Sequence, residues 1–367
     1  MGHVVTLLIF LVILGLIVFV HEFGHFITAK LNKVFVHEFS LGFGPKLFSF
    51  KRKNDETEYM IKLLPLGGYV MLAGEEYDED EEDDKKDKKD KKSKKKEKEK
   101  VIVPDDQKLY NKRFHQKFII MVAGVFNNFL LGLILFFIMG LVYGCDFSNN
   151  KINYLTEDSS LYVAGARNGD KLLTINGHKI KNNDDVVLWL AINGMDKPVK
   201  VEVKKKDTNK IEKYTIKAKK DEKGEKSFDI YLNTVYKKGF VSSVKYAFFN
   251  VGSTFKQLIV IIVSLFTGKL GLKAVSGPVG IYTVVGMAKG SMLMLLYLTA
   301  YLSINVGFMN LLPFPAFDGG RAFLLVVEKI IRKKVPLKVE SIINGVGFVI
   351  LMILMVIVTI KDIIGLF

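Results

Sequence analysis

The sequence predicts a polytopic α-helical membrane protein with four transmembrane helices, a membrane-associated β-hairpin loop and one extracytoplasmic α/β domain. Three observations predict it. Apolar residues make up 49% of the 367-residue chain, and they gather in long runs instead of recurring at the period of a surface helix. Residues 35–74, after the first run, hold short β-prone stretches bounded by glycine and proline. Residues 149–238 then turn polar, with alternating strand patterns around one short helical pattern.

The first span covers about residues 4–31, within a segment 1–34. It lacks the basic start and small-residue cleavage site of a secretory signal, so it reads as a retained helix. Its second half carries His21-Glu22-Phe23-Gly24-His25. Histidines four apart share one face of a helix. Two neutral imidazoles one turn apart can bind one zinc ion, and Glu22 then stands beside it as a base for water. Ionisable side chains in a membrane helix cost about 2.5–3.5 kcal/mol each on insertion scales, so their presence there is functional.

Residues 35–74 contain Leu41-Gly42-Phe43-Gly44-Pro45 and Pro65-Leu66-Gly67-Gly68-Tyr69-Val70, which predict one or two hairpins. They are apolar for a connecting loop. Non-helical backbone at membrane depth is tolerated where it is buried in protein or lines a wet cavity. A hairpin there offers an edge to which an extended substrate could add by main-chain hydrogen bonds. Residues 75–103 are acidic and then lysine-rich, so they are expected to be disordered and without a catalytic part. The second span, about 118–143 within 104–148, carries Gly124, Asn127 and Asn128. An asparagine there either bonds a neighbouring helix or faces the metal cavity.

In residues 149–238 a loop with Gly165, Gly169 and Asp170 leads into a strand at 171–175, and Asn176-Gly177 makes a tight turn. A helix at 184–192 and strands at 199–203 and 213–218 follow. In segment 239–290 the uninterrupted apolar run, 258–266, is too short to span and is expected to be interfacial or re-entrant. The third span, about 292–312 in segment 291–321, ends in Asn310, Pro313, Pro315 and Asp318-Gly319-Gly320. A basic connection, 322–341, leads to the fourth span in 342–367.

Lysines and arginines crowd the connections after the first and third spans, which makes both cytoplasmic and both termini extracytoplasmic. Two histidines leave zinc short of its usual three protein ligands, and Asp318 is the best third candidate. The first and third spans run the same way with their polar groups near the cytoplasmic end, so the metal lies toward that side. An extra crossing at 258–266 would put Asp318 on the opposite side, so the metal argues for four spans. The net charge of +15 is scattered lysine with no aromatic-basic motif, which points away from a nucleic-acid partner and leaves anionic lipid of the bilayer or a cell-wall polymer. The single cysteine, Cys145, excludes an intrachain disulfide.

Together these motifs resemble the bacterial site-2 protease family, the intramembrane zinc metalloproteases of regulated intramembrane proteolysis. The match spans nearly the whole chain: H-E-F-G-H at 21–25, the β-loop at 65–70, a G-x-x-x-N at 124–128, and N-x-x-P-x-P-x-x-D-G-G from Asn310 to Gly320. The resemblance implies Zn2+ held by His21, His25 and Asp318, with Glu22 as the base. It also implies that Asn128, Asn310, Pro313, Gly67 and Gly68 shape a substrate cleft. Residues 149–238 become one PDZ-like domain with its loop at Gly165, Gly169 and Asp170. The implied substrates are single-pass membrane proteins of the bacterial cytoplasmic membrane: an anti-sigma factor, a cell-division protein or signal-peptide remnants. Val125, Phe317 and Arg321 depart from the usual proline, leucine and histidine. A non-catalytic membrane PDZ adaptor and an ion transporter are the competing classes; the intact Glu22 and the single depth of the polar groups disfavour them.

Overall fold

The computed structural model describes residues 2–53, 55–75, 103–220, 226–271 and 275–365. Most of the charged insertion, residues 76–102, lies outside them. The chain divides into two compact units, Met1–Gly132 with Ser276–Phe367, and Leu133–Val275.

Helix α1 (Gly2–Leu31) starts the first unit. Thr6, Phe10, Ile13, Ile17, His21 and Gly24 are buried on it. Their three- and four-residue spacing draws one inward stripe, so the histidine pair continues the packing face. The last turn of the helix carries Lys30, a cation favourable at a helix C-terminus, whose ammonium pairs with Asp55 at 2.7 Å. Strands β1 (Val36–Lys51) and β2 (Glu58–Leu72) follow. They do not form one simple hairpin. Residues 46–51 pair with 58–62, while 38–41 face both 58–61 and 68–71. Each strand bends at glycine, Gly42 with φ +89° and Gly67 with φ +159°, so the ribbon doubles back on itself. Two 3-10 turns, Asp105–Gln107 and Leu109–Asn111, lead into α2 (Phe114–Val142).

The second unit begins within α2 and holds a small α/β fold. It comprises β3 (Cys145–Tyr154), the single turn α3 (Ser160–Val163), β4 (Lys171–Ile175), β5 (His178–Lys179), α4 (Asn183–Asn193), β6 (Val199–Lys204), β7 (Ile211–Ile216), β8 (Lys219–Lys220), β9 (Lys226–Ser227) and β10 (Tyr231–Lys237). The main sheet runs β10-β3-β4-β6-β7. Asn176 and Gly177 both take positive φ, 49° and 82°, the geometry a two-residue hairpin turn between β4 and β5 needs. Asn182 caps α4 by accepting the Asp185 amide at 2.9 Å. Leu161, Leu172, Ile175, Val199, Val201 and Ile216 are among the buried core.

Asp170 closes the loop that carries Gly165 (φ +115°) and Gly169 (φ +92°). It is 2% exposed. Its carboxylate accepts from Lys205 Nζ at 2.8 Å, the Lys206 amide at 2.9 Å and the Arg167 amide at 2.9 Å. The loop is thus tied to the β6–β7 connection through both oxygens of Asp170.

Helix α5 (Phe240–Phe266) is continuous over 27 residues, where the sequence suggested only a short interfacial or re-entrant run. It is one of five helices, among the described residues, long and apolar enough to cross a membrane. Its middle is nevertheless polar and paired: Lys256 bonds Asp185, and Ser253 donates to Asp184 at 2.5 Å. Phe147 of β3 packs edge-on against Tyr246 and Phe249.

The first unit resumes with α6 (Pro278–Ala288), α7 (Met292–Leu311), α8 (Asp318–Ile331) and α9 (Leu337–Ile364). The basic connection expected at 322–341 is therefore mostly helix, because Ala322 and Leu325 continue a buried stripe from Gly319 and Gly320. At the far end of α9, Asp362 accepts the amides of Gly277 and Gly280 at 2.7 and 2.9 Å and caps α6. On α7, Thr299, Ala300, Ser303, Ile304 and Gly307 are buried, a small-residue stripe that lets α2 come close.

Burial by itself would raise the Asp170 carboxyl, but the bonds from Lys205, Lys206 and Arg167 outweigh it and hold it below the ordinary range. A depressed carboxyl adds stability that is present above its unfolded value, about 3.9, and is lost as pH falls through the folded value. Asp170→Ala is expected to destabilise the domain by about 1–3 kcal/mol at neutral pH. Amide hydrogen exchange of β4 and β6 in the full chain measures it, and the difference from the parent should shrink on acidification below about pH 4.

Candidate metal centre

Three side chains from two distant parts of the chain converge. His21 Nε2 lies 3.0 Å from Asp318 Oδ2, and His25 Nε2 lies 3.2 Å from the same oxygen. The two Nε2 atoms are 3.4 Å apart. Among the described residues this is the group of three able to hold a metal ion. Ligands at about 2.0–2.1 Å on a tetrahedral ion sit about 3.3–3.4 Å from each other. The observed separations therefore fit one zinc ion with a fourth position left over.

The donor set points the same way. The outer nitrogen of His25, Nδ1, lies 2.8 Å from the Ile120 carbonyl, which accepts only if Nδ1 carries the proton. Its Nε2 then presents a lone pair. Imidazole nitrogens and a carboxylate oxygen aimed at one point suit a shared cation there, with a proton on an Nε2 nitrogen filling the gap when no metal is bound.

Each residue is held by its element. The i, i+4 spacing on α1 stacks the two imidazoles, with ring centroids 4.9 Å apart. Asp318 is the first residue of α8. Gly319 and Gly320 follow it because a Cβ on either would lie 2.3 or 2.2 Å from the Leu311 or Phe314 carbonyl oxygen. Gly124 on α2 faces the pair; a Cβ there would lie 2.3 Å from His25 Nε2 and 2.8 Å from His21 Cε1. That glycine leaves the room in which an ion can sit.

Glu22 is 8% exposed and lies on the flank of α1 that meets the doubled-back ribbon. A Cβ on Gly68 would come within 2.7 Å of Glu22 Cγ, so the backbone of β2 runs directly over the carboxylate side chain. Gly67, one residue earlier, supplies the bend. Asn128 is fully buried, and its amide faces His21 at 3.2 Å rather than an open cleft. Asn310 is half-buried on the last turn of α7, and Pro313 is exposed just beyond it; neither makes a side-chain hydrogen bond to this centre. Gly165, Gly169 and Asp170 belong to the other unit and are no part of it.

Two features escaped the sequence. The Ile120 carbonyl is a backbone group, and no residue letter announces it. Glu75, read as the start of a disordered insertion, is ordered at the end of the ribbon and pairs with Arg321, one turn after Asp318.

A family model described as peptidase family M50 matches residues 9–354. A zinc metalloprotease of Clostridium perfringens is 37% identical over 350 residues, 95% of each chain. One of Clostridium acetobutylicum is 33% identical over 353 residues, again 95% of each. The regulator of sigma-W protease RasP of Bacillus subtilis is 31% identical over 422 aligned positions, 99% of each.

Gly124→Ala should abolish zinc retention while leaving the helices assembled. Metal content after purification, set beside circular dichroism in detergent, checks this; a zinc-replete Gly124→Ala would mean the ion does not sit before that face.

Proposed function

The chain belongs to peptidase family M50, and from that premise we propose that it cuts membrane-embedded proteins at His21, His25, Asp318 and Glu22. It is a multi-pass membrane zinc metalloendopeptidase. The observation that carries the site assignment is the convergence of three ligand atoms beside a fourth ionisable group inside an apolar helix.

His21, His25 and Asp318 would hold the ion. Zinc, when bound, polarises a scissile carbonyl and brings the acidity of water to about pH 7. Glu22 takes the proton of the attacking water and returns it to the departing amide nitrogen. A peptide bond in a helix is already hydrogen-bonded and shielded, so the substrate has to unwind before it can be attacked. The ribbon edge at 68–72, running over Glu22, offers backbone groups to hold it extended. Asn310 and Pro313, at the end of α7, border the approach to Asp318. The name of the Bacillus subtilis relative supports a membrane-anchored regulator of a sigma factor as one substrate class.

We further propose that four of the five long helices cross, with both chain ends outside and the metal toward the cytoplasmic side. The pairing of Lys256 and Ser253 with Asp185 and Asp184 supports this, since a helix bound through its middle to charged groups of a soluble domain is poorly suited to lipid. Residues 145–237 would then be the extracytoplasmic PDZ-like domain.

Glu22→Gln should retain zinc and lose cleavage of a membrane-embedded substrate by about 10²–10⁴-fold or more. Asp318→Asn should lose both metal and cleavage, because an amide oxygen is a poorer ligand than a carboxylate. Metal analysis with a reconstituted cleavage assay separates the two roles, and full activity in either variant refutes its assignment. For the topology, single cysteines at 238 and 269, in a Cys145→Ser background, should be labelled from the same side of sealed vesicles. Labelling from opposite sides would make α5 a crossing.

A further inference from the structure

Asn128 is the one side chain at this centre whose geometry the proteolytic role leaves unexplained. It is fully buried in α2, and its Nδ2 stands 3.2 Å from His21 Nδ1. Its Oδ1 has no hydrogen-bond partner among the described residues. Its backbone is pinned, since Ser303 Oγ on α7 donates to the Asn128 carbonyl at 2.8 Å. Gly307 lies against its Cβ, where a methyl group would approach to 3.2 Å. The side chain is thus fixed beside His21, with only the amide free to turn.

An imidazole that gives Nε2 to a metal keeps its proton on Nδ1 and needs an acceptor there. His25 has one in the Ile120 carbonyl. At its Nδ1, His21 has only the Asn128 amide among the described residues. A half-turn of that amide exchanges its nitrogen for its oxygen without moving the backbone, which converts an unpartnered buried oxygen into the acceptor His21 requires.

We propose that Asn128 is a positioning residue for the metal centre. Its amide oxygen accepts the His21 Nδ1 proton, fixes the tautomer that leaves Nε2 free, and aims the ring at the ion. Asparagine suits the post because it also serves the metal-free state. There His21 can carry its proton on Nε2 toward Asp318, and Nδ2 donates to the vacated Nδ1. The amide therefore turns with metal binding. This inference rests on the zinc site described above and assigns Asn128 no contact with substrate.

The test compares Asn128→Asp, which keeps an acceptor at the same place, with Asn128→Leu, which keeps the volume and removes it. His25→Ala serves as the ligand-loss control. Zinc affinity of the full chain in detergent, measured by competition with a chromogenic chelator, is the first readout. The visible absorption of the cobalt-substituted protein, which reports ligand geometry, is the second. Asn128→Leu should bind zinc about 10–100-fold more weakly, with an altered cobalt spectrum. Asn128→Asp should stay within a few-fold of the parent, with its spectrum preserved. If Asn128→Leu binds zinc like the parent while His25→Ala does not, the proposal fails and the zinc site stands. If His25→Ala also binds like the parent, the site itself is wrong and the inference falls with it. Should Asn128→Leu not fold, Asn128→Ser replaces it, its hydroxyl being too short to reach His21, with the same outcomes required.

Discussion

The constraint on which the rest depends is that ionisable groups inside an apolar helix have to be satisfied by something other than water. His21, Glu22 and His25 sit in a 30-residue apolar helix, and each of the two imidazoles has a ring nitrogen facing a group on α2. The two Nε2 atoms face each other, and Asp318 brings a carboxylate to both from nearly 300 residues away. α2, α7 and α8 are arranged so that this happens: Gly124 clears the space, Ser303 fixes Asn128, and Gly319-Gly320 let the Asp318 turn close on the end of α7. On the proposed reading, the ion is what makes this arrangement stable.

On the proposed reading, the ribbon answers a second demand, access for an extended chain. Doubling back at Gly42 and Gly67 gives it more internal pairing than a single hairpin has. That matters at membrane depth, where an unpaired amide costs several kcal/mol. Only the outermost segments keep open edges, and one of them, 68–72, crosses Glu22. A glycine at 68 is required by that crossing, since any side chain there would displace the carboxylate.

Much of this was legible in the letters. The histidine pair, Glu22 and Asp318 were readable because their chemistry is costly where they stand, so their presence demands a reason. The Asn176-Gly177 turn was readable because only residues tolerant of positive φ can make it. Three things were not. The ribbon's doubled register depends on pairings between segments about 20 residues apart, which strand propensity does not encode. The Ile120 acceptor is main chain. Asn128 could be seen as a polar residue in a span, but whether it faced a helix, a cleft or a ligand depended on the rotation of α2.

On the proposed topology, helix α5 is a long apolar helix that does not cross. It is as long and apolar as a span requires, yet its middle carries Asn250, Ser253, Thr254, Lys256 and Gln257. A true span turns its polar residues toward other spans or a cavity. Here Ser253 and Lys256 meet the two aspartates at the start of α4, so their partners lie in the small α/β fold. The parity of crossings then bears on the chemistry. Asp318 can complete a site with His21 and His25 only if α1 and α7 run in the same direction, and that requires an even number of crossings from the end of α1 to the end of α7. Two, α2 and α7, satisfy it; adding α5 does not, unless α6, 11 residues long and too short for a bilayer of about 20 residues in helical length, also crosses. With the three ligand atoms standing together, the proposed topology leaves α5 as the long helix that does not cross.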